Sequence, residues 1–508
     1  MSAAAGETSG AAGGTSGPAA GTFGPARAFS YLGWEVDPDA GALVCRYDLD
    51  GQRFSERIVV HAEPAAWSSP AAAEAARLVF LLAGVSYYKA GAPPVVDLGP
   101  TPLRHGDLDL LRAWYRDGLG ELAHRNGLDL GGLRFEGGTE AGPPAGWEPP
   151  GERPLVPFGG GIDSIVTVEG LRERGPAGGV SLFVLSREGD RFAAIEEAAA
   201  ATGLPVARAE RALDPEILRS GERGWINGHV PVTGIVSAIA LLSAVLRGHD
   251  SVVMSNERSA SSGNLDLPDG RSVNHQWSKG WDLEELLRAH LARSFVPAPG
   301  YFSWLRPWSE LWVARRFAGL GRYLGSFRSC NRAFALDPAR RLDHWCGHCD
   351  KCCFIDLVLA PFVPAGELAR VWGGHEPLCD PSLAPTFRTL LGTSGATKPW
   401  ECVGDVSECR AALRLAASRP DRAGSPLLAE LVAEVAGEVG VAGAAEVAGG
   451  AGAAGSAEVA GATGVAGAAG VALAVETGSG PAVDASWLMR PHGPHAVPER
   501  YAPSDLLD

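Results

Sequence analysis

The sequence predicts an α/β protein built on a doubly wound parallel sheet, with a small N-terminal α+β module before it and a helical, cysteine-bearing C-terminal part after it. Three observations carry this expectation. Between residues 154 and about 260, short apolar runs alternate with helical stretches, the order a parallel sheet with crossover helices requires. One of those runs ends in three consecutive glycines directly before a helix. At 508 residues, 46% hydrophobic and with 14 tryptophans, the chain has enough apolar material for more than one core.

Residues 1–25 are mostly Gly, Ala, Ser and Thr with little to bury, and are expected to be a disordered leader. Residues 26–135 open with β-like runs, FSYLGWEV, ALVCRYDL and RFSERIVV, separated by Asp and Gly turns, and continue with helical segments around 70–90 and 106–126. This N-terminal module is a candidate for substrate binding. A Pro and Gly cluster over 136–153 reads as a linker. Residues 154–280 supply PLVPF, a helix from Ser164, SLFVLS, a helix to about Thr202, PVARAE, a long apolar helix over about 230–247 and SVVMS. Residues 281–425 look helical around a cysteine cluster. Over 426–485 irregular Ala, Gly, Val and Glu repeats oppose stable helix and form a low-complexity tail, followed by a terminal segment, 486–508, with Trp487 and Tyr501.

A net charge of −15 disfavours general affinity for nucleic acid or anionic membrane, because both need surplus Lys and Arg to neutralise phosphate. The sequence holds no uninterrupted apolar stretch of about 18 residues, and its start lacks the basic and apolar regions of a secretory signal. A cytoplasmic protein is expected, with neither nucleic acid nor membrane as partner. Nine cysteines are too few for a disulfide scaffold, and the crowding of four of them into 346–353 suggests metal in a reducing compartment.

In PLVPFGGGIDSIVTVEGL a strand runs into Gly159, Gly160 and Gly161, and a helix begins near Asp163 and Ser164. Residues without side chains let backbone N–H groups approach phosphate oxygens, the helix N-terminus adds positive potential, and Ser164 offers a hydroxyl. Asp163 is repelled by phosphate and suits Mg2+ or a helix cap. A glycine triplet also fits a plain capped turn; the strand before and the helix after favour the phosphate. No Lys precedes the Ser, which excludes a Walker loop.

Ligands of open parallel sheets sit beyond the carboxyl edge, so Arg187 after SLFVLS and Asn256, Glu257 and Arg258 after SVVMS are expected to face a nucleotide or its partner substrate. The next polar segment places Asn264, Asn274, His275, Gln276, Ser278 and Lys279 around Trp277, a density of donors that suits a binding loop. INGHVPVTG adds Asn227 and His229, and YFSWLRPWSE adds Arg306 and Glu310. His275, then His229, are the candidate bases, with Lys279 and Arg258 neutralising phosphate or carboxylate. Lys89 and His124 are outside candidates for substrate contact.

FRSCNR followed by WCGHCDKCC sets Cys330, Cys346, Cys349 and Cys352 at a spacing that can close a tetrahedron around Zn2+. An iron–sulfur cluster would use the same thiolates, and Cys353 and His348 are substitutes. A closed four-cysteine site leaves no open coordination position, so its expected role is structural.

The GGGIDS loop resembles the SGGxDS loop of PP-loop ATP pyrophosphatases, with Gly159 in place of the first Ser. The resemblance implies an adenine nucleotide alpha hydrolase-like sheet whose loop grips ATP pyrophosphate while an oxygen nucleophile attacks the α-phosphorus. Together with SNERSASSGN, VNHQWSK, YFSWLRPWSE, FRSCNR and WCGHCDKC, in this order, it resembles the UDP-N-acetylmuramoyl-L-alanyl-L-glutamate epimerase (MurL) family over about 29–420. VSYYKAGAP and GLGELAHRNGL extend the likeness into the N-terminal module. The resemblance implies ATP- and Mg2+-dependent inversion of the terminal L-Glu of UDP-MurNAc-L-Ala-L-Glu through an acyl-adenylate. AMP and pyrophosphate would be released, within peptidoglycan precursor synthesis, with a UDP-MurNAc-L-Ala L-glutamate ligase as functional neighbour. The rivals are another PP-loop adenylating enzyme, of the 7-cyano-7-deazaguanine synthase or tRNA-thiolation kind, and a non-catalytic nucleotide-binding scaffold.

Overall fold

Alternating burial organises the first strands: Phe29 and Tyr31 on β1 (Phe29–Asp37) and Leu43, Cys45, Tyr47 and Leu49 on β2 (Ala42–Leu49) point inward, with β3 (Gln52–Val60) completing an antiparallel meander. Its buried aromatic face packs on α1 (Pro70–Ala83), whose first turn is capped by Ser69 Oγ accepting from the amide of Ala72 at 3.1 Å. The helical stretch Pro70–Tyr88 is long and apolar enough to cross a membrane, but 89% of it is buried inside the fold, which is the character of a core helix. The computed structural model describes residues 23–449 and 485–507 apart from 150, 269, 336, 394 and 396–398; the expected leader up to 22 and the tail over 450–484 lie outside the described residues.

The remaining strands of the main sheet are β4 (Val95–Asp97), β5 (Arg134–Glu136), β6 (Pro154–Pro157), β7 (Ser181–Arg187), β8 (Val206–Ala212), β9 (Ser251–Met254) and β10 (Gly300–Ser303). The ten strands lie in the order β10-β9-β6-β7-β8-β3-β2-β1-β4-β5. From β10 to β8 all neighbours are parallel, joined by helices that include α2 (Ile162–Arg174) and α3 (Val232–Arg247), as the alternating pattern implies. The expected parallel sheet is one half of a larger mixed one. β8 pairs antiparallel with β3, Ala209 opposite Val60, and the seam is clamped by Arg211, whose Nε lies 2.8 Å from the buried Glu56 carboxylate.

Side chains of the parallel half divide between two cores. Val156, Leu182, Val184, Val253 and Phe302 face one, while Leu155, Phe183, Val252 and Tyr301 face the other, so both surfaces of the sheet are covered. The first core extends into the C-terminal helices. It also takes in Leu427, Leu428, Leu431 and Val435 on the helix Pro426–Gly449, at the start of the stretch where sequence analysis expects the low-complexity tail. Four large apolar residues in three turns give that helix something to bury before the glycines accumulate. Residues 485–507 dock back: Tyr501 is fully buried, its hydroxyl 2.9 Å from Asp250, and its carbonyl accepts from Trp304 Nε1 at 2.8 Å.

Candidate active site

Beyond the carboxyl ends of β6, β7 and β9 opens a cavity of 240 Å³, lined from the strands by Pro157, Phe183, Leu185 and Met254. The glycine loop forms its floor. Gly160 takes φ +78°, the left-handed region that favours glycine, and a Cβ there would lie 2.9 Å from the Ala194 carbonyl oxygen. Its own carbonyl accepts from the Arg328 amide at 2.9 Å, which ties the loop to the cysteine-bearing segment. Gly159 is different: it lines the cavity, and an added Cβ would meet no protein atom within 4 Å.

Helix α2 starts at Gly161 with no side-chain cap, so Asp163 is not the capping group. Its Oδ1 is buried with no hydrogen-bond partner among the described residues, so its charge is left uncompensated by hydrogen bonding at that oxygen. Burial and the neighbouring Glu257 carboxylate push Asp163 up to about 6, against the pull of Lys351 and Lys279. Ser164 Oγ donates to the Gly161 carbonyl at 3.1 Å.

The wall near the loop after β9 gathers His229, His275, Lys279, Lys351, Glu401 and Cys402. Lys279 Nζ stands 3.2 Å from Cys402 Sγ. Burial alone would raise that thiol, but Lys279, His275 and Lys351 bring it down to about 5, a thiolate at neutral pH. Lys351 also donates to the Cys402 carbonyl. His275 Nδ1 is hydrogen-bonded to the Glu121 carboxylate, and its Nε2 is buried with no hydrogen-bond partner among the described residues. Burial works against its charge, yet Cys402 and Glu121 raise His275 to about 9. His229 touches it, ring centroids 4.2 Å apart, and burial together with the His275 charge lowers His229 to about 3. One imidazole is therefore held protonated and its neighbour neutral. Glu121, His229 and His275 lie within chelating reach of one another, although Lys279 opposes a cation there.

Of the residues singled out in the sequence, Gly159, Gly161, Asp163, Ser164, Asn256, His229, His275, Gln276, Ser278 and Lys279 meet on this cavity. Gly160 shapes the loop from behind. Glu257 is buried beside Asp163 and does not line the cavity. Arg258 turns away, its guanidinium 3.3 Å from Glu408 and 5.1 Å from the Trp487 ring, and Arg187 is not on the cavity wall. Arg306 is held in a buried pair with Glu284 at 3.0 Å. Lys89 bonds Asn227 at 2.6 Å, and His124 stacks on Trp400.

Sequence reasoning missed Cys402, Lys351, Glu121, Ser329, Asn331 and Glu401. One signal was available. The chain holds only four lysines, at 89, 279, 351 and 398, among 44 basic residues. Where arginine is the default cation, a retained lysine marks a place for a compact, tunable charge.

Cys330, Cys346, Cys349 and Cys352 bring their Sγ atoms within 4.8 Å of one another. Four thiols so gathered, two buried and two half-buried, with 3.4 Å between the sulfurs of Cys349 and Cys352, fit a closed zinc site by donor set and spacing. The centre also builds the cavity: Ser329 and Asn331 flank Cys330, and Lys351 sits between Cys349 and Cys352.

Residues 22–304 match the family described as MurL N-terminal domain, and residues 326–446 match the MurL C-terminal domain. Three relatives carry the name UDP-N-acetyl-alpha-D-muramoyl-L-alanyl-L-glutamate epimerase. That of Salinispora tropica is 42% identical over 415 residues, 80% of this chain and 88% of the relative. The Xanthomonas oryzae pv. oryzae protein is 39% identical, covering 77% and 86%. The Micromonospora sp. protein is 41% identical, covering 80% and 90%.

Proposed function

The chain belongs to the MurL family and is an epimerase, and from that premise we propose that it inverts the terminal L-Glu of UDP-MurNAc-L-Ala-L-Glu to D-Glu with consumption of ATP. The observation that carries the reading is the meeting, in one cavity, of a phosphate-type glycine loop with two histidines in ring contact, one of them bonded to a buried carboxylate.

The need for ATP is chemical. Removing the α-proton beside a carboxylate would place a second negative charge next to the first. Joining the carboxylate to AMP removes that charge and lets an ordinary base act. The loop at 159–161 and the N-terminus of α2 suit the β- and γ-phosphates, and Lys279 and Lys351 supply the positive charge that the loop itself lacks. The unpartnered carboxylate of Asp163, backed by Glu257, would hold Mg2+, which neutralises phosphate charge when bound. The four cysteines would hold structural Zn2+.

His229 and His275, in ring contact on the cavity wall, are the candidate acceptors for the α-proton, and Lys279 on the same wall faces the developing negative charge. His229 lines the cavity, so a proton taken there can exchange with water, and solvent hydrogen replaces it. The substrate belongs to peptidoglycan precursor synthesis, downstream of the ligase that adds L-Glu to UDP-MurNAc-L-Ala.

Incubating the protein with ATP, Mg2+ and UDP-MurNAc-L-Ala-L-Glu in heavy water tests the reading. AMP, D-Glu after hydrolysis of the product, and deuterium at the glutamate α-carbon are expected. AMP without inversion would point to a different adenylating enzyme, and neither product to a nucleotide-binding scaffold.

A further inference from the structure

We propose that Cys402 is a nucleophile: it takes the activated glutamyl group from the adenylate as a thioester, and the α-carbon is inverted on that thioester. The proposal rests on the adenylation reading above and deepens it.

The geometry is that of an acyl-transfer set. Cys402 Sγ lies 3.2 Å from Lys279 Nζ on the same cavity that the glycine loop lines. Beside it stands His275, only 5% exposed, with Nδ1 bonded to the Glu121 carboxylate and Cys402 as its other neighbour. A thiol, a histidine and a carboxylate that orients the histidine form the arrangement that activates cysteine for attack on an acyl carbon. A cysteine that merely fills space has no use for such company. Cys353, for example, is packed in the hydrophobic core, whereas Cys402 has Lys279, His275 and Lys351 around it.

Contact between the rings separates this role from that of a second proton carrier. Two carriers that invert a carbon must stand on opposite faces of it. His229 and His275 are 4.2 Å apart between centroids, so no α-carbon fits between the two rings, and Cys402 interacts with His275 on the same wall. All three serve one face. From there the sulfur can reach the acyl carbon while an imidazole reaches the adjacent C–H.

The steps balance. The Cys402 thiolate attacks the acyl carbon, a C–S bond forms, the C–O bond to phosphate breaks, and AMP leaves with the electron pair. Sulfur donates poorly into the carbonyl, which makes the α C–H of a thioester more acidic than that of an oxygen ester. An imidazole of the His229–His275 pair takes the proton, the electron pair moves onto the thioester oxygen, and Lys279, released from the thiolate, faces that charge. A proton delivered from water to the opposite face inverts the centre, and the imidazole gives the proton it took to solvent. Water then attacks the acyl carbon and the C–S bond breaks, which restores the thiolate, frees the carboxylate and passes two protons to solvent.

The test uses the full chain with ATP, Mg2+ and UDP-MurNAc-L-Ala-L-Glu. Substrate-dependent exchange of pyrophosphate into ATP reports adenylation. Rapid acid quench and mass spectrometry report an adduct heavier than the protein by the substrate less one water. The expected result is exchange together with an adduct that maps to Cys402 and is released by neutral hydroxylamine. Cys402→Ala should lose the adduct and at least about 100-fold in inversion rate. Cys402→Ser should carry an oxygen ester that neutral hydroxylamine does not release. No exchange in the parent overturns the adenylation reading and this proposal with it. Exchange with no adduct on either the parent or Cys402→Ser, or inversion by Cys402→Ala within about threefold of the parent, overturns the proposal alone. Closure of the adenylate to an oxazolone would then take its place.

Discussion

Replacing Lys279 by methionine removes the ammonium 3.2 Å from Cys402 Sγ while keeping much of the side-chain length. Two unit charges at that separation interact by about 5 kcal/mol at an effective dielectric of about 20, equivalent to roughly 4 pK units as an upper figure. His275 and Lys351 stay in place, and the thiol, held at about 5 in the parent, should rise by roughly 2 to 4 units. The fold should survive, because the sulfur can become a neutral thiol and need not remain an uncompensated buried charge. Alkylation by iodoacetamide at a series of pH values, read by mass spectrometry on the peptide that carries Cys402, gives the midpoint separately from the other cysteines. An unchanged midpoint in Lys279→Met, or a parent midpoint near the ordinary thiol value of 9.0, would refute the electrostatic account of the site.

Other outcomes follow from the same contacts. Gly160→Ala forces a side chain into φ +78° and against the Ala194 carbonyl, and should cost about 1–2 kcal/mol together with nucleotide binding, whereas Gly159→Ser should fold normally; thermal melts with and without ATP separate the two. His275 is raised from 6.5 to about 9, so its contribution to stability is full below about 6.5 and is lost as pH rises through about 9. Glu121→Gln should flatten that part of the profile, measured as denaturant midpoint against pH. Elemental analysis should find one zinc per chain. Chelation or Cys349→Ser should lower the melting temperature and weaken ATP binding together, since Lys351, Ser329 and Asn331 reach the cavity from that centre.

Local signals were legible in the sequence wherever one short segment carries its own physics. The glycine triplet between an apolar run and a helix, the alternation from 154 onward and the cysteine spacing all correspond to structure over those residues. What could not be read is long-range pairing. Nothing in RFSERIVV says that β3 will pair with β8, 149 residues on from Val60 to Ala209, because an antiparallel edge and a closed meander have the same alternation. Cys402 was invisible for a related reason. KPWECVG has no motif, and the thiol acquires its character only from Lys279, His275 and Lys351, brought from two distant segments. Arg258 shows the opposite case: it follows a strand end, as a phosphate ligand should, but its guanidinium lies against the buried Glu408 and the Trp487 ring.

The continuous sheet has a consequence for the chemistry. Glu121, which orients His275, belongs to the N-terminal half of the chain, and Trp114 from the same half packs near Trp277, in the loop that bears His275 and Lys279. The phosphate loop comes from the middle of the chain, and Lys351 and Cys402 from its C-terminal part. Each region alone would leave an ionised group without its partner: a carboxylate without its imidazole, a thiolate without its lysines, or Asp163 without the cations that oppose its protonation. Buried charges of this kind are tolerable only as a closed set, since each unpaired member costs more than a neutral hydrogen bond gains. The strand pairing between β3 and β8, with Arg211 and Glu56 at its seam, joins the two halves into one sheet over a shared core, and so holds the carboxylate that orients His275 against the wall where the thiolate sits.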